Sequence, residues 1–217
     1  MNKNEIIDKL KMLPRPLVGG LAYDHNDIFN FRDSCIDMMK DVMTIAKPKE
    51  ILEIGTHAGG SACIMLCLSE ANLTSIDIGG NHITWKHSFY DWNIPSTQGG
   101  LNLVCSVLEN NFPNRFRFVL GDSSSEEVFN VIKDKNYDLI FIDGNHTVEG
   151  VSKDINTAFK LNIPYMLLDD YNLRDGDNDG RIVAARNCGL TLFKFYENIH
   201  NAGNVCCGLF KNPHYKE

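Results

Sequence analysis

The sequence reads Tyr137-Asp138-Leu139-Ile140-Phe141-Ile142-Asp143-Gly144-Asn145-His146 in one stretch and Pro164-Tyr165-Met166-Leu167-Leu168-Asp169-Asp170-Tyr171-Asn172 in a second. Each stretch contains a short apolar run that is followed by one or two aspartates. A short apolar run is typical of a strand buried on both faces of a parallel sheet. The carboxyl ends of parallel strands lie at one edge of the sheet, where open α/β proteins bind ligands. We therefore expect Asp143, Asp169 and Asp170 to converge there.

Converging carboxylates repel one another unless a cation lies between them. Hard oxygen ligands favour Mg²⁺, Ca²⁺ or Mn²⁺. The pattern therefore predicts a divalent metal site at Asp143, Asp169 and Asp170, and metal-assisted chemistry rather than simple binding.

The remaining pattern predicts a doubly wound, Rossmann-like α/β fold, because strands and helices alternate from Lys49 onward. Strands are predicted at Glu50–Gly55, Leu73–Ile78, Phe116–Leu120, Tyr137–Asp143 and Pro164–Asp169, and helices at about 59–70, 98–111, 124–135 and 147–161. A C-terminal hairpin, Leu192–Tyr196 with Val205–Phe210, closes one edge of a mostly parallel sheet. Two helices, about 2–12 and 27–46, precede this core.

Composition limits the class of protein. A chain of 217 residues with 43% hydrophobic and 23% charged residues suits one α/β domain. The net charge of −7 disfavours nucleic acid as a partner. Seven cysteines without zinc or disulfide spacing favour reduced thiols and a cytoplasmic location. The polar N-terminus is no signal peptide, and no apolar run approaches the about 20 residues that cross a membrane.

The turn after the first strand, Glu53-Ile54-Gly55-Thr56-His57-Ala58-Gly59-Gly60-Ser61, is typical of a cofactor loop. Its glycines let a ligand approach the backbone closely. The NAD fingerprint would need glycine where His57 stands, which disfavours NAD. Asp77 ends the second strand and is placed to accept hydrogen bonds from ribose hydroxyls. Gly121-Asp122-Ser123 ends the third strand and meets the same crevice.

The order of these segments resembles that of a class I S-adenosylmethionine-dependent methyltransferase. The segments are the cofactor loop, Ser75-Ile76-Asp77, Gly121-Asp122, Phe141–His146 and Leu168-Asp169-Asp170. The chain is most similar to the small metal-dependent O-methyltransferases, in particular the sugar and natural-product branch with its I-D-G-x-H segment. The resemblance covers roughly residues 30–211. It implies one methyltransferase domain over 1–217, with N-terminal helices over 1–48 and a Rossmann-like core over 49–211.

The resemblance also implies roles for individual residues. The methionine part of S-adenosylmethionine would contact Glu53, Gly55, Thr56, His57, Gly59 and Ser61. Asp77 would bind the ribose, Gly121, Asp122 and Ser123 would border the adenine, and Asp143 would lie against the cofactor. Asp143, Asp169 and Asp170 would coordinate Mg²⁺, or else Mn²⁺ or Ca²⁺.

Two positions depart from the catechol-type relatives. Those relatives carry Asn at the third metal position, where this chain has Asp170 as in the sugar and natural-product branch. They also carry a catalytic Lys where this chain has His146. His146 is therefore one candidate for the general base, since imidazole titrates near neutral pH, and Asp143 is the other.

The expected function is O-methylation of a small hydroxylated molecule: a phenol or catechol, a sugar or a natural product. The alternatives are a nucleic-acid or protein acceptor, or a nucleotide-binding domain without catalysis. A homodimer is a further possibility. Acceptor specificity is expected in the N-terminal helices and in two stretches, 79–98 and 171–182. Asp175–Gly180 begins like a calcium loop, but its twelfth position is Arg186 instead of Glu.

Overall fold

The computed structural model describes residues 1–13, 33–79, 97–171, 179–198 and 205–216. The helices are α1 Lys3–Leu10, α2 Asp33–Ala46, α3 Gly60–Leu68, α4 Thr97–Asn111, α5 Glu126–Ile132, α6 Val148–Lys160 and α7 Gly180–Asn187. The strands are β1 Glu50–Ile54, β2 Asn72–Asp77, β3 Phe116–Leu120, β4 Leu139–Ile142, β5 Tyr165–Leu168, β6 Leu192–Asn198 and β7 Val205–Lys211.

These strands form one sheet in the order β3-β2-β1-β4-β5-β7-β6. Strands β1 to β5 are parallel, and β7 runs antiparallel to both β5 and β6. The chain winds outward from β1 to β3 on one side and from β4 onward on the other. The order therefore reverses between β1 and β4, and in such sheets the crevice at the reversal binds the ligand.

Helices cover both faces of the sheet, and successive side chains of a strand point to opposite faces. Ile51 of β1 and Phe141 of β4 belong to the core shared with α1–α4. Leu52 and Ile140, their neighbours, belong to the core shared with α5–α7. This burial on both faces explains why β4 is a continuous apolar run.

Polar side chains begin the helices on the site side of the sheet. Ser125, Thr147 and Asp179 are the N-caps of α5, α6 and α7, and each side chain accepts a main-chain N–H of its helix. Such caps satisfy amide groups that have no partner inside the helix. They place the first turns of α5 and α6 directly after β3 and β4.

The predicted α/β class, mostly parallel sheet and C-terminal hairpin are confirmed. Helix α7 was not predicted: its first residues, 180–182, were assigned to the loop 171–182, and the others to no element. Of the predicted stretches, 27–32, 80–96 and 172–178 lie outside the described residues, as does most of the calcium-like motif. Among the described helices, none is long and apolar enough to cross a membrane.

Candidate active site

The crevice at the reversal is built around a contact between the cofactor loop and the end of β4. Gly55 has φ +97°, and a Cβ there would lie 2.1 Å from the main-chain oxygen of Asp143. Only glycine fits such a conformation and such a close approach. The structure thus brings the predicted cofactor loop directly against the first predicted metal ligand.

Glu53 lies beneath this loop and is fully buried. Its carboxylate accepts hydrogen bonds from the hydroxyls of Ser61 and Ser75, and Ser75 also bonds Thr56. Burial raises the pKa of Glu53 to about 7, although the two serine hydrogen bonds lower it. Glu53, Ser61 and Thr56 were predicted to contact the cofactor. In this structure they form an internal network that joins β1, β2 and the start of α3.

Asp77 organises the exposed side of the loop. One carboxylate oxygen accepts the main-chain N–H groups of Thr56 and His57 at 3.0 Å each, and the other accepts that of Gly79 at 2.9 Å. A carboxylate has about four acceptor positions, so the oxygen facing Gly79 keeps one for a further donor. His57 has φ 45°, in the left-handed region that non-glycine residues rarely adopt.

The turn after β3 lies on the wall of a cavity of about 190 Å³. Asp122 and Ser123, predicted to border adenine, line it together with Asn145 and the start of α6. Behind them Asp154 is 2% exposed and accepts a hydrogen bond from Ser123 at 2.7 Å. Burial raises the pKa of Asp154 to about 6. The sequence analysis did not select Asp154, because it lies within a helix and belongs to no motif.

The predicted acidic residues converge. The carboxyl groups of Asp143 and Asp169 share a hydrogen bond, and Asp170 is close enough for its charge to act on both. Burial raises the pKa of Asp143 to about 8, with a further contribution from Asp170. Burial and the charges of Asp143 and Asp170 raise that of Asp169. The Cys207 thiol on β7 donates to Asp169 at 3.0 Å.

Arg181, in the first turn of α7, joins this cluster. Its Nη1 lies 3.1 Å from Asp170 Oδ2 and 3.0 Å from His146 Nδ1. The other ring nitrogen of His146, Nε2, lies 3.3 Å from Asp143 Oδ1. The structure therefore places both candidate bases, Asp143 and His146, in one hydrogen-bonded group. The sequence analysis did not place Arg181 in this group.

The carboxylates of Asp143, Asp169 and Asp170 are the kind of oxygen ligand that a hard divalent cation prefers. They meet at the crevice and repel one another, and a cation would relieve that repulsion. Arg181 already supplies a positive charge to Asp170. Within the described ranges, no three His, Cys, Asp or Glu side chains are arranged as ligands around one point. The metal site therefore stays a prediction.

Two residues that contact the acidic cluster, Arg181 and Cys207, belong to no recognised sequence motif. A usable signal existed for Arg181, because Asp179 is a typical N-cap residue and is followed by Ile182 and Ala185, which are three residues apart as on one face of a helix. Asp179 is itself buried. Cys207 gave no such signal, because its contact with Asp169 depends on strand pairing.

Known proteins were compared with this chain. A family model described as a methyltransferase domain matches residues 52–171, more than half of the chain. The matched segment runs from β1 through the acidic residues after β5. No protein of curated function matches the sequence.

Several solved structures share the fold. The O-methyltransferase from Bacillus cereus in complex with SAH has a TM-score of 0.64 at 15% identity, over 98% of this chain and 93% of that one. TomG from Streptomyces achromogenes, an O-methyltransferase of tomaymycin synthesis in complex with SAM, has a TM-score of 0.63 at 15% identity, over 97% of this chain and 90% of that one. The N-methyltransferase NodS from Bradyrhizobium japonicum has a TM-score of 0.53 at 12% identity, over 82% of this chain and 95% of that one.

At such identities the likeness establishes the fold, and the acceptor atom differs among these neighbours. The family match covers the predicted cofactor loop, Asp77, the turn after β3, and the acids Asp143, Asp169 and Asp170 together. The chain therefore belongs to the methyltransferase-domain family, and it is an enzyme with the class I fold of the S-adenosylmethionine-dependent methyltransferases.

Proposed function

We propose that this protein transfers a methyl group from S-adenosylmethionine to a hydroxyl group of a small molecule, with a divalent cation held by Asp143, Asp169 and Asp170. The convergence of these acids beside the cofactor loop is the observation that carries the proposal. Solved neighbours bound to SAM or SAH support the cofactor. The two neighbours that act as O-methyltransferases support the hydroxyl acceptor.

The cofactor would lie across the ends of β1, β2 and β3. Gly55 and Gly59 let the loop pack closely against Asp143 and helix α4. The methionine part would lie beside the start of α3, where the first main-chain N–H groups of a helix favour a carboxylate. Asp77 retains an acceptor position for a ribose hydroxyl. Asp122 and Ser123, on the wall of the cavity after β3, would border the adenine.

The reaction forms a bond between the acceptor oxygen and the methyl carbon while the carbon–sulfur bond breaks. The electron pair of that bond stays on sulfur, which becomes a neutral thioether, and the hydroxyl proton passes to a base. A phenol has a pKa of about 10, so its neutral form dominates at neutral pH and the base is needed. Holding donor and acceptor in line supplies much of the rate enhancement.

Asp143 and His146 are the candidate bases, since they lie together at the mouth of the crevice. When bound, the cation supplies Lewis-acid catalysis by making the acceptor hydroxyl more acidic. The surrounding side chains would orient the ligands: Cys207 donates to Asp169, and Arg181 donates to Asp170.

Calorimetric titration tests the cofactor. S-adenosylmethionine and NAD are titrated separately into the protein, with and without Mg²⁺. Micromolar binding of S-adenosylmethionine and none of NAD is expected. Binding of NAD, or of neither, would contradict the proposed function.

Methyl transfer is then measured by mass spectrometry with phenols, catechols and sugars as acceptors. Exhaustive chelation should abolish turnover, and added Mg²⁺ or Mn²⁺ should restore it. Asp169→Asn should lose this response, whereas Asp41→Asn, on helix α2, should keep it. Full activity after chelation would remove the metal from the proposal. Cofactor binding without any transfer would favour the non-catalytic alternative.

A further inference from the structure

Both ring nitrogens of His146 are engaged. Nδ1 lies 3.0 Å from Nη1 of Arg181, and Nε2 lies 3.3 Å from Oδ1 of Asp143. A guanidinium has N–H donors and no acceptor, and it stays protonated in proteins. Nδ1 must therefore accept the hydrogen bond from Arg181, and the ring hydrogen of the neutral imidazole must lie on Nε2. In this tautomer Nε2–H donates to Asp143.

Arg181 is held firmly enough to impose this arrangement. Its Nε donates to Asp179 Oδ1 at 2.9 Å, and its Nη1 also donates to Asp170. The Arg181 side chain is 17% exposed, and that of Asp179 is 1% exposed. Two carboxylates thus anchor the guanidinium from two sides, and such bidentate contacts set its direction.

The start of α7 is also packed against the residues that follow β4. A Cβ on Gly180 would lie 2.6 Å from the main-chain oxygen of His146 and 3.0 Å from the nitrogen of Val148. The helix that carries Arg181 therefore contacts the segment that carries His146 through the backbone. The distance between the two side chains is set by packing as well as by charge.

We propose that Arg181 is a positioning residue that holds His146 as the Nε2–H tautomer, so that His146 orients Asp143 instead of removing the proton of the acceptor. This inference rests on the proposed methyl transfer for its consequence. In this tautomer the one ring nitrogen that could accept a hydrogen bond, Nδ1, is already occupied by Arg181. Of the two candidate bases, only Asp143 then keeps free lone pairs for the acceptor hydroxyl.

Nuclear magnetic resonance tests the tautomer directly. In protein labelled with ¹⁵N-histidine at about pH 8, above the ordinary histidine pKa of about 6.5, the ring nitrogens report which one carries hydrogen. His146→Gln assigns the signal among the seven histidines. We expect a protonated Nε2 in the unmodified protein and a mixture of tautomers in Arg181→Met. A hydrogen on Nδ1, or a spectrum unchanged by Arg181→Met, would overturn the inference.

Arg186→Met is the matched control, because it removes the same charge from the same helix. It should leave the His146 signal unchanged. A change of equal size in both variants would assign the effect to the fold of α7 and overturn the role of Arg181. If Arg181→Met does not fold, Arg181→Lys takes its place, since lysine cannot reproduce the fork of contacts.

Kinetics separate a positioning role from a base. The side-chain amide of glutamine both accepts and donates, so His146→Gln can keep the contacts with Arg181 and Asp143, whereas His146→Ala loses both. We expect kcat of His146→Gln to stay within about tenfold of that of the unmodified enzyme. The kcat values of His146→Ala and Arg181→Met should be about 10- to 100-fold lower than that of His146→Gln. The KM for S-adenosylmethionine should not change. Equal losses in His146→Gln and His146→Ala would restore His146 as the base.

The two proposals fail separately. The tautomer is measured without turnover, so it can be correct even if no acceptor is methylated. Failure of cofactor binding would instead remove the proposed function.

Discussion

At the residue scale, Glu53 couples the stability of the fold to pH. Burial raises its pKa from 4.5 to about 7. Between these values the folded protein holds a proton that the unfolded chain has released, so stability falls as pH rises through the window. The loss is complete above pH 7 and amounts to at most about 3 kcal/mol. Glu53→Gln cannot ionise, so its free energy of unfolding relative to the unmodified protein should rise by up to that amount from low to high pH.

Urea unfolding at several pH values measures this difference. Comparing across pH removes the constant effect of the substitution on packing. Glu126→Gln, in the exposed first turn of α5, is the control for removing a carboxylate at the surface. A flat profile for Glu53→Gln would show that the pKa of Glu53 is not raised in the folded state.

At the element scale, α7 depends on its N-cap more than the other capped helices do. Asp179 accepts the Arg181 main-chain N–H at 2.8 Å and also pairs with the guanidinium. Asp179→Ala removes both interactions and leaves a half-paired charge. We expect a loss of about 2 to 4 kcal/mol in the free energy of unfolding, since a cap contributes about 1 kcal/mol and a buried ion pair adds to it.

Ser125→Ala is the matched control, because Ser125 caps α5 through its hydroxyl alone. It should cost about 1 kcal/mol. Asp179→Asn keeps an acceptor for the main-chain N–H and should fall between the two. Equal costs for Asp179→Ala and Ser125→Ala, measured by urea unfolding, would show that the pair with Arg181 adds nothing to stability.

At the scale of the whole molecule, the centre and the edge of the sheet should differ in their contribution to stability. Phe141 lies on β4, in the middle of the sheet, and is fully buried. Phe193 lies on the edge strand β6 and is 48% exposed. Phe141→Ala should cost about 3 to 5 kcal/mol through lost contacts and a cavity, and Phe193→Ala under about 1 kcal/mol. Thermal and urea unfolding of the two variants check this.

Similar losses in the two phenylalanine variants would contradict the strand order, since only a central position is covered on both faces. The N-terminal helices belong to the same structure, because Tyr196 on β6 and Lys194 both donate to Asp41 on α2. The division into 1–48 and 49–211 as parts of one domain stays a prediction.

The strand positions could be predicted from the chain because burial on both faces demands continuous apolar runs, as in Phe141 and its neighbours. Convergence of Asp143, Asp169 and Asp170 followed from the same rule, since parallel strands end at one edge. Helix α7 was missed because Gly180 begins it and its apolar stripe is short. The predicted cofactor contacts of Glu53 and Ser61 were assigned by resemblance, and sequence does not reveal that these side chains face inward.

By itself, the sequence determined the α/β class, the order of its elements apart from α7, and the three acids that meet at the crevice, because local periodicity and strand ends encode them. Only the tertiary structure decided how those residues are paired. Arg181 and Cys207 reach the acidic cluster from α7 and β7, far along the chain from Asp143. No spacing predicts such contacts, since they depend on helix packing and strand register, and they decide which side chain is free to accept a proton.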